Sequence, residues 1–422
     1  RGEVLSFTPK NAKVRHFSSG FMEDNMEKPA VAGGVPVRNT KLYYGHQYVD
    51  KADVKAVEEV LTSDYLTCGP KVVELEKRLC ELTGAKYAVT VSNGTAALHI
   101  AAMAAGVGEG DELITTPITF AASANCALYC GGTPVFADID PNTYNIDPEC
   151  VRGKITERTR AVVAVDFTGQ AARLDELLDV CRDKGIILIE DGAHSFGTKY
   201  KGKPVGSIAD MTTFSFHPVK TVTGGEGGAV LTNRRDLYEK LLLYRSHGIT
   251  KDEAFYESES HGPWYHEQID LGYNYRLTDI QCALILSQID KLDQFAGRRR
   301  EIVARYDNAF SQIPQLSVQQ EIPESDTTRH LYILRIRPEM LTIDRRFFFE
   351  AMAAENICCN VHYIPVYWHP YYQKLGYKKG ICPNAEKLYE EMMSLPIYYS
   401  LTDQDVDDVI AAVRKIVEYY RK

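Results

Sequence analysis

A strand-like apolar run ending in Ser215, Phe216 and His217 leads to an isolated lysine, Lys220, and then to glycines grouped around Glu226 ("TFSFHPVKTVTGGEGGAV"). A lysine set just past a buried strand becomes a nucleophilic amine when burial lowers its pKa. Three other short stretches carry polar groups at the ends of apolar runs. "VSNGTAALHIA" turns through Asn93, Gly94 and Thr95 straight into a helix, whose free N–H groups and dipole favour a phosphate. "IEDGAHSFG" delivers Asp191 at a strand end, with His194 just after it. "TTPITFAASAN" places Phe120 beyond Pro117.

Each piece has an ordinary alternative. The turn at Asn93–Thr95 reads equally as a helix cap, and so does Asp191. Phe120 suits a core and Lys220 a surface. Together, however, they supply what pyridoxal phosphate (PLP) requires: a lysine amine, a carboxylate for the pyridine nitrogen, a phosphate cup and an aromatic ring. On this reading Lys220 bonds the cofactor, and Asp191 keeps its ring nitrogen protonated. Gly94, Thr95 and Ser215 hold the phosphate, and Phe120 stacks on the ring. A nicotinamide oxidoreductase is disfavoured, because the turn lacks G-x-G-x-x-G and no acidic residue ends the next strand.

The elements that must position these groups follow from periodicity. Val54, Val57, Val60 and Leu61 recur at helical spacing after Asp50, and a second helix runs from Pro70 to Gly84. Apolar strands are then expected at Tyr87–Val91, Glu112–Thr116, Val135–Asp138, Ala161–Phe167, Ile186–Glu190, Thr212–Phe216 and Ala229–Thr232. Near-continuous apolar strands with helical crossovers predict an α/β fold with a mostly parallel central sheet covered on both faces. In such sheets ligands gather at the carboxyl ends of the strands, where the polar signals lie. After about Asp290 the pattern changes. A helix (Lys291–Phe310), a strand (His330–Ile336), a helix (Arg345–Glu355), a strand (Ile357–Tyr363) and a last helix (Asp403–Tyr420) predict a smaller α+β domain. The expected division is a large cofactor-binding domain over 26–290 and a small C-terminal domain over 291–422.

Composition narrows the setting. The chain has 422 residues, 45% of them hydrophobic, and a net charge of −9 from 48 basic and 57 acidic residues. That balance argues against nucleic acid as a partner. No apolar run is long enough to span a membrane. Ten scattered cysteines show no zinc-site spacing, so no metal is expected, and a reducing, cytoplasmic compartment is. Residues 1–25 carry no signal-peptide core, and with Met26 as a candidate start they read as an extension or cloning remnant.

The motifs quoted above, with "SDYLTCGP", "EGGAVLTN", "GYNYRLTDIQ" and "NVHYIPVYWHPYY", resemble those of the DegT/StrS-type sugar aminotransferases from about Tyr44 to the C-terminus. The resemblance implies the fold-type I PLP aminotransferase architecture. It also implies Lys220 as the cofactor-bonding lysine, Asp191 as the ring-nitrogen partner, His194 beside the ring oxygen and Ser215 on the phosphate. Asn274 would reach the phosphate in the neighbouring subunit of a homodimer. Tyr44, the Asp64–Thr67 segment including Leu66, and His362 with Tyr363 would line a sugar-nucleotide cleft.

Within the family the wording is most similar to the branch that makes UDP-4-amino-4,6-dideoxy-N-acetyl-β-L-altrosamine for pseudaminic acid, with L-glutamate as amino donor. Gly192 and Phe196 stand where that branch usually has alanine and leucine, and Gly224 where it has threonine. The competing readings are another 4-keto nucleotide sugar, such as a UDP-4-keto-pentose, and a non-catalytic regulator that only holds PLP.

Overall fold

Seven of the apolar runs pair into one sheet in the computed structural model, which describes residues 27–422. The reading of residues 1–25, with Met26 as a start, lies outside the described residues. The strands are β1 (Tyr87–Val91), β2 (Glu112–Thr115), β3 (Thr133–Phe136), β4 (Thr159–Val165), β5 (Ile187–Asp191), β6 (Met211–Ser215) and β7 (Gly228–Thr232). Their spatial order is β1-β7-β6-β5-β4-β2-β3. Strands β3, β2, β4, β5 and β6 are mutually parallel, and β7 runs antiparallel between β6 and β1. The mostly parallel expectation therefore holds, with one reversed strand. Because β7 is reversed, its first residue, Gly228, lies opposite Val91 and Ser215 at the carboxyl ends of β1 and β6.

Side chains alternate across the sheet, and both sets are apolar. Val89, Val163, Val165, Ile189 and Val230 pack on one face against the helix Gly94–Ala104. Ala88, Val162, Ala164, Leu188 and Leu231 pack on the other, against Leu75 and Leu79 of the helix Pro70–Thr83 and Leu174 and Leu177 of the helix Leu174–Arg182. The helix Gly94–Ala104 is apolar all round and lies almost wholly buried, as such a helix must. Its N-terminus abuts the carboxyl end of β1, which sets the turn Ser92–Asn93 at the rim of the sheet.

A second apolar core gathers around three antiparallel strands in the order Leu316–Val318, Tyr332–Ile336, Met392–Leu395. The helices Leu292–Phe310, Arg345–Ala354 and Asp403–Tyr420 contribute to it. Leu42 joins this core from the N-terminal side of the chain. Fully buried Glu355 anchors that segment: it accepts hydrogen bonds from the N–H groups of Ala30 (2.8 Å) and Val37 (2.7 Å) and pairs with Lys415 at 3.2 Å. A buried pair is tolerated only with such extra hydrogen bonds.

One expected strand is corrected. Residues 357–363 form no strand and make only isolated bridges, Ile357 with Leu42 and Asn360 with Ser394. The third strand of the small sheet is Met392–Leu395, entered directly from the helix Pro383–Glu391 with no loop to announce it. Released from a ladder, Asn360, His362 and Tyr363 turn instead toward the end of the central sheet. Among the described residues no helix is long and apolar enough to cross a membrane.

Candidate active site

A cavity of about 660 Å³ opens at the carboxyl ends of β1, β4, β5 and β6. It brings together Gly94, Thr95, Asp191, His194, Ser215 and Lys220, which lie far apart in sequence. Phe120, Tyr44, His362 and Tyr363 line it as well.

At one end sits the helix N-terminus. Asn93 caps it, its Oδ1 accepting from the Ala96 N–H at 2.8 Å and its carbonyl from the Ala97 N–H at 3.1 Å. The N–H groups of Gly94 and Thr95 lie ahead of the first intrahelical bond, which leaves them for an anion. A Cβ on Gly94 would come within 2.9 Å of Ser215 Cβ, so only glycine lets the end of β6 approach the helix this closely. The Ser215 hydroxyl thereby joins the two amides in a cup of three donors.

Asp191 is buried at the end of β5. Its Oδ2 accepts from the Ser123 hydroxyl at 2.6 Å and its Oδ1 from the Ala193 N–H at 3.1 Å. Burial raises the carboxyl above its usual range, while those two bonds and the charge of Lys220 pull it back. Ser123 escaped the sequence reading. It sits in a run of small residues, "FAASAN", that looks like any tightly packed helix start, and the one available signal was its place just beyond Phe120.

Lys220 occupies the turn after β6, its own N–H bonded to the His217 carbonyl at 2.9 Å. Burial lowers its amine to about 8, against an opposing pull from Asp191. Near that pH half the amines are neutral, the nucleophilic form. His194 is held well below its usual range by burial and by the charges of Lys220 and His362. Its Nε2 lies 3.3 Å from the Tyr363 hydroxyl, and its buried Nδ1 has no partner among the described residues. His362 is pushed down to about 4 by burial and by Lys220, and its Nδ1 meets Ser394 Oγ at 2.8 Å. Both imidazoles are thus neutral hydrogen-bonding groups at physiological pH.

These residues fit PLP. The unbonded amides of Gly94 and Thr95 suit its phosphate, the buried Asp191 its ring nitrogen, and the unpartnered polar atom of His194 awaits a hydrogen bond. Phe120, whose side chain is 64% exposed in one chain, stands at the cavity mouth with its ring 6.3 Å from that of Tyr363.

Four of the expected residues lie elsewhere in this chain. Asp64, Leu66 and Thr67 are exposed in the loop between the helices Lys51–Leu61 and Pro70–Thr83 and do not line the cavity. Nor does Asn274, which bridges to Ser246. Thr67 bridges to Thr278, and the Leu66 carbonyl accepts from the Asp279 N–H at 3.0 Å, so the loop is fixed to the segment that follows Asn274. Two departures noted in the sequence have a packing reason. A Cβ at Gly192 would meet Phe214 at 2.8 Å, and one at Gly224 would meet Ile285 at 2.7 Å; neighbouring side chains fill the space a larger residue would take.

The DegT/DnrJ/EryC1/StrS aminotransferase family matches residues 47–414. The spore coat polysaccharide biosynthesis protein SpsC of Bacillus subtilis is 44% identical over 91% of this chain and 99% of its own. The UDP-4-amino-4,6-dideoxy-N-acetyl-beta-L-altrosamine transaminase of Campylobacter jejuni (strain 81-176) is 37% identical over 90% of this chain and 98% of its own. Among solved structures, Helicobacter pylori PseC, an aminotransferase involved in the biosynthesis of pseudoaminic acid, superposes with a TM-score of 0.83 at 34% identity, covering 90% of this chain and all of PseC. The putative sugar aminotransferase Spr1654 of Streptococcus pneumoniae, in its PLP form, also gives 0.83, at 30% identity over 90% of this chain and 99% of its own. A lysine and a carboxylate meeting over a phosphate cup in this architecture, with such relatives along nine-tenths of the chain, place the protein among the PLP-dependent sugar aminotransferases: it belongs to the DegT/DnrJ/EryC1/StrS family.

Proposed function

We propose that the protein moves an amino group from L-glutamate to C4 of a UDP-4-keto-6-deoxy-N-acetylhexosamine, giving a UDP-4-amino sugar. The observation that carries the reading is the meeting of Lys220, Asp191 and the Gly94–Thr95–Ser215 cup in one cavity. When bound, PLP supplies an aldehyde that condenses with amines and a protonated ring that accepts electrons from the carbon beside the nitrogen.

The chain's own residues do the rest. Gly94, Thr95 and Ser215 hold the phosphate and so fix the ring. Asp191 keeps the proton on the ring nitrogen. With PLP bound, Lys220 Nζ would take the proton from the donor's α-carbon in the first half-reaction and, after 2-oxoglutarate has left, would deliver a proton to C4 of the acceptor sugar in the second. His194 hydrogen-bonds the ring oxygen, Phe120 stacks, and Tyr44, His362 and Tyr363 border the sugar. The finer choice of sugar rests on the transaminase and PseC relatives and on the shared wording of "TTPITF" and "VHYIPVYWHPYY". With a net charge of −9, the diphosphate must be met by local donors rather than by a broad positive field.

The substrate assignment is tested by offering the enzyme, with L-glutamate, the L-arabino and D-xylo epimers of the 4-keto-6-deoxy sugar and a UDP-4-keto-pentose. Mass spectrometry and NMR follow the 4-amino product. Preference for the L-arabino epimer is expected, and preference for either competitor overturns the assignment while leaving the aminotransferase intact.

Asn274 and the Asp64–Thr67 loop are exposed and line no part of their own cavity, which suits a homodimer in which they close the partner's site. Dilution is then expected to lower cofactor affinity and activity together. A fully active monomer in sedimentation contradicts the dimer.

A further inference from the structure

Two hydroxyls stand in line behind Asp191. Thr119 Oγ1 lies 2.7 Å from Ser123 Oγ, which lies 2.6 Å from Asp191 Oδ2, and all three side chains are buried. An ionised carboxylate only accepts, so the Ser123 proton points at Asp191 and Ser123 in turn accepts from Thr119. The 2.6 Å separation is that of a charge-assisted O–H···O⁻ bond, which is roughly twice as strong as a neutral one. Protonation of Asp191 would turn both hydroxyls round and lose that advantage.

We propose that Ser123, backed by Thr119, is a positioning residue that keeps Asp191 ionised and aimed at the cofactor's ring nitrogen. The surroundings make such support necessary. Besides Lys220, the titratable groups around Asp191 are Glu190 on the same strand, the buried Cys126 thiol, the Tyr363 phenol and neutral His194. None but Lys220 offers a positive charge, and burial lowers its amine to about 8, so that charge fades as the pH rises through that value. In the cofactor-free protein the other support for the charge is the Ala193 amide and the Ser123–Thr119 pair. Ser123 and Thr119 both lie in the stretch that follows β2, so this part of the chain sets the state of a carboxylate two strands away in the sheet.

The inference rests on the aminotransferase reading of Asp191, but its test begins in cofactor-free protein. Isotope-labelled aspartate carboxyls are titrated by NMR, with Asp191 identified by its absence in Asp191→Asn. In Ser123→Ala the Asp191 carboxyl is expected to titrate about one pH unit higher, the effect of losing one hydrogen bond to a charged group. The acid limb of kcat in the loaded enzyme should move up with it, so that the loss reaches about tenfold on the acid side and fades above it. Ser123→Thr, which keeps the hydroxyl, should restore most of the profile. Thr119→Val leaves Ser123 in place and should shift both readouts less, in the same direction, and it carries the test if Ser123→Ala does not fold. An unmoved Asp191 titration, or a loss equal at every pH, overturns the proposal and leaves the aminotransferase assignment standing.

Discussion

Lys220→Ala protein is expected to retain PLP without a covalent bond and to lose amino transfer by about a thousandfold or more, because the proposed mechanism gives one group the tasks of both nucleophile and proton carrier. Its phosphate cup and Asp191 remain in place, so cofactor retention on gel filtration should fall only in part. In the wild-type protein, capture of PLP by the apo form requires the neutral amine. With the Lys220 amine near 8, the capture rate should rise with pH through that value and level off above it. A Lys220→Ala enzyme that still transaminates, followed by coupled detection of 2-oxoglutarate, contradicts this role.

Asp191→Asn comes next in size. An amide has nearly the shape of the carboxylate, so the fold and PLP binding should survive. It carries no charge, however, and does not hold a proton on the ring nitrogen. Loss of a preorganised charge in a buried site lowers the rate on the order of a hundredfold or more. Stopped-flow measurement of the glutamate half-reaction separates this loss from changes in binding. A fall of only a few-fold would reduce Asp191 to the turn-capping role that its bond from Ala193 also suits.

The central sheet was legible because its strands are near-continuous apolar runs, and the carboxyl ends carry unlike residues: Asn93, Asp191, Ser215. Boundaries moved by a residue or two, as when Asp191 proved to be the last residue of β5 instead of the first beyond it. The small sheet was harder. "NICCNVHYI" has the β-branched and alternating look of a strand, yet residues 357–363 pair only through isolated bridges, and 360–363 line the cavity. Met392–Leu395 was hidden because the preceding helix runs straight into it.

Within the site, residues with distinctive chemistry could be named in advance, and Lys220, Asp191, His194 and Tyr363 meet in one cavity. Residues that act by holding others could not. Ser123 and Thr119 look like packing, and Ser394 behind His362 sits on the strand that periodicity missed. Position along the chain also does not reveal which side of a subunit a residue faces. Asp64, Leu66, Thr67 and Asn274 stand in motifs of their own, and none of them lines the cavity of the same chain.

The most direct test of the account is the half-reaction of purified, PLP-loaded protein with L-glutamate alone. The account predicts that the yellow colour of the lysine-bound cofactor disappears as the pyridoxamine form accumulates, with one 2-oxoglutarate released per active site. Colour that persists, with no 2-oxoglutarate formed, would contradict it and favour a protein that holds PLP without using it.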